Sequence, residues 1–295
     1  MVLESILNPF SAEQRPSKLI LIGAIYTLVA MILASYIFKE THPSMVFIFL
    51  IVMAAIPLMF GIIKREEKKD IKTFSEKSLL KEHSKALSIF MMLFLGIALM
   101  VSLWYVVAPL DSSAKIFETQ IDTLGGLGHN FDANGKVTEL TANAANSSMA
   151  NFSRIFFNNI KVLIFCIVFS FIYGSGAIFI LTWNASVLGV AIGNIIRSGL
   201  LDVASKTGFD QIFSYLSVVS VGLFKYSIHG IPEIAAYFVG ALAGGIISFS
   251  IIRRDFKGKN FERVILDSAD LLFIAIGLIL VSAVLEVWVT PLIFG

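Results

Sequence analysis

The sequence predicts an all-α polytopic membrane protein, a transmembrane helical bundle of about seven spans with one further re-entrant or interfacial helix. Three observations predict it. Of 295 residues, 57% are hydrophobic and only 15% charged, with mean hydropathy +0.83, which is more apolar than a soluble domain of this length. Several uncharged runs approach the twenty residues that cross a hydrocarbon core, without the short alternation of barrel strands. The basic residues concentrate in two short segments, as they do in loops retained on the cytoplasmic side. Net charge is only +2, so nothing points to nucleic acid. The lone Cys166 lies in an apolar run, which excludes an intrachain disulfide or cysteine cluster and reads as a small core or lipid-facing residue.

The first apolar run, Leu19–Phe38, is long enough to remain as a span rather than a cleaved leader. Met45–Ile63 and Leu87–Val107 follow, then Ile155–Leu181, Ile234–Ile252 and Leu271–Val289. Between the fourth and fifth lie two shorter apolar stretches, Ala185–Leu201 and Ile212–Ile228. Lys64–Lys85 carries eight Lys or Arg and Arg253–Arg263 carries five, whereas Pro109–Asn151 holds only Lys115 and Lys136. The first two are therefore expected inside and the third outside. One net crossing must then fall between the fourth and fifth spans. It is assigned to Ile212–Ile228, with Ala185–Leu201 as the re-entrant or interfacial helix. The result is seven crossings in the cell membrane, N-terminus cytoplasmic and C-terminus extracytoplasmic. Trp104, Trp183 and Trp288 fall near span ends, as interfacial aromatics do. Three regions follow: 1–108 with three spans and a basic loop at 64–87, an extracytoplasmic loop 109–151, and a membrane domain 152–295. The mixed charges of the basic loop pair at helical spacing and suit a solvated extension of the second span; docking to anionic lipid or a partner is the alternative.

The outer loop is too small for a core of its own. It contains one candidate metal segment, in which Asn130, Asp132, Asn134 and Thr138 place oxygen donors, with Gly135 and Lys136 at the turn, in the order of a calcium-binding loop. Asn130 stands where such loops carry Asp, and Thr141 where they carry a bidentate Glu, so an Asn-Gly turn between extended pieces is the stronger reading. Calcium is the one cofactor suggested. Asn146-Ser-Ser148 and Asn151-Phe-Ser153 match glycosylation sequons on the expected outer side.

The most informative phrase is Ser227-Ile228-His229-Gly230-Ile231-Pro232-Glu233, flanked by apolar sequence. Ionisable groups at membrane depth are costly and point to function. Pro232 suits the first turn of a helix, which would put Glu233 at the positive end of the helix dipole and His229 in the preceding turn. Asn158, Asn159, Asn184, Asn194 and Glu286 complete a candidate intramembrane polar cluster. A capped structural turn, a proton- or ion-handling pair and a seam for a partner subunit all fit these residues. No HExxH motif, serine dyad or aspartyl pair accompanies them, and no catalytic residue is assigned. Gly240-Ala-Leu-Ala-Gly244 is a small-xxx-small face for close helix packing.

Phe157-Asn158-Asn159-Ile160-Lys161-Val162, Gly174, Asn184, Leu188-Gly189, His229-Gly230-Ile231-Pro232-Glu233, Glu286 and Thr290-Pro291, in this order, resemble the stage II sporulation protein M family, a DUF95-type group of integral membrane proteins. The resemblance runs from about Phe152 to the C-terminus. The first three spans and the outer loop resemble longer archaeal members. In spore-forming bacteria such a protein belongs to a membrane complex that positions peptidoglycan-degrading enzymes, so the resemblance implies a non-enzymatic scaffold or organiser of an envelope complex. The expected partners are the lipid bilayer and other membrane or envelope proteins, with a homo-oligomer also open. The rivals are a transporter or channel subunit using the His/Glu/Asn cluster and an intramembrane hydrolase, which would need His229, Glu233 and Glu286 to converge.

Overall fold

The computed structural model describes residues 15–38, 42–72, 76–126, 129–131, 137–139, 148–173, 177–203, 209–252 and 259–294. They form a helical bundle: α1 (Lys18–Ile37), α2 (Pro43–Lys72), α3 (Glu76–Val107), short α4 (Leu110–Ile116) and α5 (Glu118–Gly126), α6 (Ser148–Tyr173), α7 (Ala177–Val203), α8 (Phe209–Ile252) and α9 (Lys259–Val284). A π-helical segment, Leu285–Val289, continues α9 into α10 (Thr290–Phe294). Seven of these helices are long and apolar enough to cross a membrane. The chain is a multi-pass integral membrane protein.

The span count agrees with the sequence reading, but the second half is divided differently. Ile155–Leu181 is not one helix: α6 ends at Tyr173 and α7 begins at Ala177. The stretch Ala185–Leu201 therefore belongs to a 27-residue helix, not to a re-entrant one. Ile212–Ile228 and Ile234–Ile252 are likewise not two spans but parts of the single 44-residue α8. One candidate span, α7, lies between α6 and α8. Trp183 consequently sits inside α7, partly buried against the core, and not at a span end.

Backbone contact through glycines sets the closest packing. A Cβ on Gly96 would run into the carbonyl oxygen of Ile20, and one on Gly23 into that of Leu93. These two sites let α1 and α3 touch main chain to main chain. The Gly240/Gly244 face works as expected, with Gly244 against the Ile167 carbonyl of α6 and Gly240 against the Leu163 side chain. Nearby, Ser170 of α6 donates to the carbonyl of Ala241. Between α6 and α3, α8 stacks Phe238 on Phe90, ring centroids 5.6 Å apart.

The segment after α3 folds back on the bundle. Phe117 is fully buried between Phe47 of α2 and Tyr105 of α3, and Gln120 reaches the hydroxyl of Ser186 on α7 at 3.3 Å. Beyond α5, β1 (His129–Phe131) pairs antiparallel with β2 (Val137–Glu139), Asn130 opposite Thr138. Asn130 and Thr138 of the candidate calcium segment stand in these two strands. Asp132, Asn134 and Lys136 of that loop lie outside the described residues, as does Asn146, while Asn151 stands in the first turn of α6. At the opposite end of the bundle α2 runs past its apolar part to Lys72, as an extended second span should, and His83 Nδ1 meets Glu66 at 2.9 Å where α2 and α3 converge.

Candidate functional site

α8 passes through Pro232 without a break. The proline offers no N–H to the Ile228 carbonyl, and inside a membrane such a defect is tolerated when neighbouring helices resupply hydrogen bonds. Here Ser282 Oγ of α9 donates to the His229 carbonyl at 2.8 Å, on the turn that the proline disturbs. The expected arrangement is corrected accordingly. His229 is not in a turn, Pro232 does not open a helix, and Glu233 does not sit at a helix N-terminus. The two ionisable residues lie one helical turn apart on a continuous helix.

Continuity brings Tyr237, one further turn along, onto Glu233. Its phenol donates to Glu233 Oε1 at 2.7 Å. Asn159 of α6, 5% exposed, faces the same carboxyl. Its Nδ2 stops short of a hydrogen bond in direction or length, so the amide is poised beside the carboxylate rather than bonded to it. From the third side comes Glu286, on the π segment. The wider π turn re-aims a helix end, and the Glu286 carboxyl lies close enough to Glu233 and to Arg154 of α6 for their charges to act on it. His229 Nδ1 lies 3.4 Å from Thr290 Oγ1. That hydroxyl gives its proton to the Leu285 carbonyl at 3.0 Å, which leaves the imidazole N–H to donate and the threonine to accept. Tyr226 packs edge-on against the His229 ring, centroids 6.1 Å apart. Phe152 of α6 lies 5.4 Å from the ring of Trp288 at the rim.

Three of the seven predicted cluster residues thus come together, Glu233, Glu286 and Asn159, while His229 sits one turn along α8 beside Thr290. The other three do not. Asn158 is exposed on the outer face of α6. Asn184 spends its side-chain N–H on the Ile180 carbonyl of its own helix, at 2.7 Å. Asn194 is buried elsewhere, between α7 and α3, where it accepts a long 3.4 Å bond from the Tyr105 hydroxyl. Sequence reasoning missed Tyr237 and Ser282 and gave Thr290 no contact. Spacing i to i+4 from Glu233 would have found Tyr237 had the helix been read through Pro232. Ser282 carries no such signal, because its partner is a backbone carbonyl on another helix. Among the described residues no group of three or more His, Cys, Asp or Glu is set to hold a metal.

Chemically, the site is a set of locks between α6, α8 and the α9–π unit. Its hydroxyls each satisfy one acceptor across or along the helices, in a setting where an unpaired polar group is costly. Its two carboxyls, Glu233 and Glu286, lie within range of each other's charge.

A family model described as Stage II sporulation protein M matches residues 44–291. The match takes in α2, α3 and the outer segment as well as the region that carried the resemblance. Neither the curated proteins nor the solved structures compared with the chain give a match.

Proposed function

We propose that this chain, which belongs to the stage II sporulation protein M family, acts as a non-enzymatic scaffold that organises other membrane or envelope proteins in the cell membrane. One observation carries this reading. The apolar part of α8, Phe213–Ile252, has 40 residues, about 60 Å of helix against a hydrocarbon core of about 30 Å. Tilting it into the core would take about 60°, beyond the range that spanning helices adopt. The half after Glu233 is the buried half. The other half therefore reaches past the hydrocarbon, carrying Phe213, Leu216, Val221 and Phe224 on its exposed surface. A long apolar face outside the lipid core is a surface for another protein. The charge bias of the loops supports a cytoplasmic N-terminus, an extracytoplasmic C-terminus and hence an outward-facing docking rod.

Site-specific photocrosslinking in membranes tests the scaffold reading. A photoreactive residue at Phe213 or Phe224 should yield protein adducts, whereas one at Phe273, 75% exposed on α9, should yield lipid adducts. Lipid adducts alone at all three positions would sink it.

Transport is the second reading, favoured by one observation: the π segment carries Glu286 to within range of the Glu233 charge, and π turns are frequent at functional sites. It requires Glu233→Gln and Glu286→Gln to abolish an ion flux in proteoliposomes while leaving the protein folded. The hydrolase reading is weakened by the pairing of His229 with Thr290 and of Glu233 with Tyr237, which turns the imidazole and the carboxyl toward different hydroxyls.

A further inference from the structure

Arg154, Asn158 and Lys161 are all exposed on α6, within a helix otherwise long and apolar enough to span the membrane. Their spacing, i, i+4 and i+7, sets them on one stripe of the helix. The stripe is not a solvated face. Phe157, Ile164 and Phe165 beside it are 61%, 51% and 57% exposed, as befits side chains that meet lipid. Among the described residues neither Asn158 nor Lys161 has a hydrogen-bond or ion-pair partner, and Arg154 shares the field of Glu286 only.

A cation facing lipid must reach an anion or the interface. Position along the helix says which is at hand. Phe152 meets Trp288 at the rim of the bundle, and tryptophan marks headgroup depth. Lys161 lies nine residues below Phe152 in sequence, about 13 Å along the axis, and its side chain leans toward the N-terminal end. Arg154 lies about 10 Å above Lys161. Both side chains lean toward the N-terminal rim, so Lys161 carries its ammonium up past Asn158 toward Arg154, and an anion near the rim can meet both cations and the Asn158 amide, which supplies further N–H donors. A second copy of this chain docked by the same face would set Arg154 and Lys161 against their own equivalents, like charge on like.

We infer that the Arg154–Asn158–Lys161 stripe binds the phosphate of an anionic phospholipid in the leaflet on the α8 rod side. The lipid thereby covers the outer face of α6 directly behind the Asn159–Glu233 contact. Its role is separate from protein docking through α8, and it does not depend on that reading.

Native mass spectrometry of protein released from nanodiscs of phosphatidylcholine with phosphatidylglycerol tests it. Wild type should retain one phosphatidylglycerol per chain. Removing both charges in Arg154→Gln/Lys161→Gln should weaken retention about thirty-fold, at roughly the worth of two interfacial cations, with each single variant intermediate. Arg154→Lys/Lys161→Arg, which keeps the charges, should retain the lipid. Equal retention by wild type and the double Gln variant would overturn the site, as would preference for phosphatidylcholine. Displacement of the lipid by excess inorganic phosphate would make it a free-phosphate site and overturn the lipid assignment. Protein rather than lipid adducts from a photoreactive residue at Phe157 would overturn it in favour of an acidic partner helix.

Discussion

Replacing Arg197 should loosen the joint between α7 and α3. Its guanidinium donates from Nη1 to the Tyr105 carbonyl at 2.8 Å and from Nη2 to the Ala108 carbonyl at 2.7 Å. A weaker contact reaches Ser113 Oγ at 3.4 Å, and the group lies 5.7 Å from the centroid of the Tyr105 ring. The two carbonyls end α3 and have no complete set of helical partners, and a cation there also meets the negative end of the helix dipole. Two charge-assisted bonds are worth about 3–6 kcal/mol by soluble-protein standards. Polar contacts in membrane bundles run lower, because the unfolded state in the membrane also finds partners. A loss of about 2–4 kcal/mol for Arg197→Met is therefore expected, or between thirty- and several-hundred-fold in the unfolding equilibrium. Arg197→Lys should recover less than half, since a single ammonium cannot fork between two carbonyls. Reversible unfolding in mixed micelles with increasing dodecyl sulfate, followed by tryptophan fluorescence, measures both. If Arg197→Met unfolds within about 0.5 kcal/mol of wild type, or if Lys substitutes fully, the capping argument is wrong.

Two further outcomes follow from packing. Gly244→Ala should destabilise the bundle by about 1–3 kcal/mol, because its Cβ would stand 2.6 Å from the Ile167 backbone oxygen. Gly240→Ala should cost less, because its Cβ would meet the side chains of Leu163 and Ile167 rather than backbone. The reverse order in the same unfolding assay would refute this account of the α6–α8 contact. Cys166 is fully buried, so a bulky maleimide should label it only after denaturation; rapid labelling of the native protein in membranes would contradict the burial.

The sequence made the membrane class, the number of candidate spans and part of the polar cluster legible, because hydropathy and loop charge act locally and leave plain marks. It misplaced the break near residue 174 because apolar residues continue on both sides of it, and the only signal was Gly174-Ser175-Gly176. Pro232 misled in the opposite sense. In water a proline amid apolar sequence argues for a helix start, but between packed helices the lost hydrogen bond is tolerated, and continuity carries Glu233 onto Tyr237. Asn184 and Asn194 look alike in sequence, yet one closes on its own backbone and the other faces α3. Which face of α7 meets a neighbour depends on glycine contacts such as Gly189 against Ala98, and these are set by tertiary packing. Glu286 was found because an ionisable residue near the end of an apolar run stands out against it.

The main-chain contact between Gly23 and α3 has a consequence for biosynthesis. α1 lies outside the matched family segment, yet it makes the closest backbone approach described above, and it makes it to a helix two spans later in the chain. At ordinary rates of synthesis α1 enters the bilayer on the order of several seconds before Gly96 is translated. During that interval its glycine face has no native partner. Insertion must then proceed with α1 held aside, by the insertion machinery or by lipid, until α3 arrives and the pair closes.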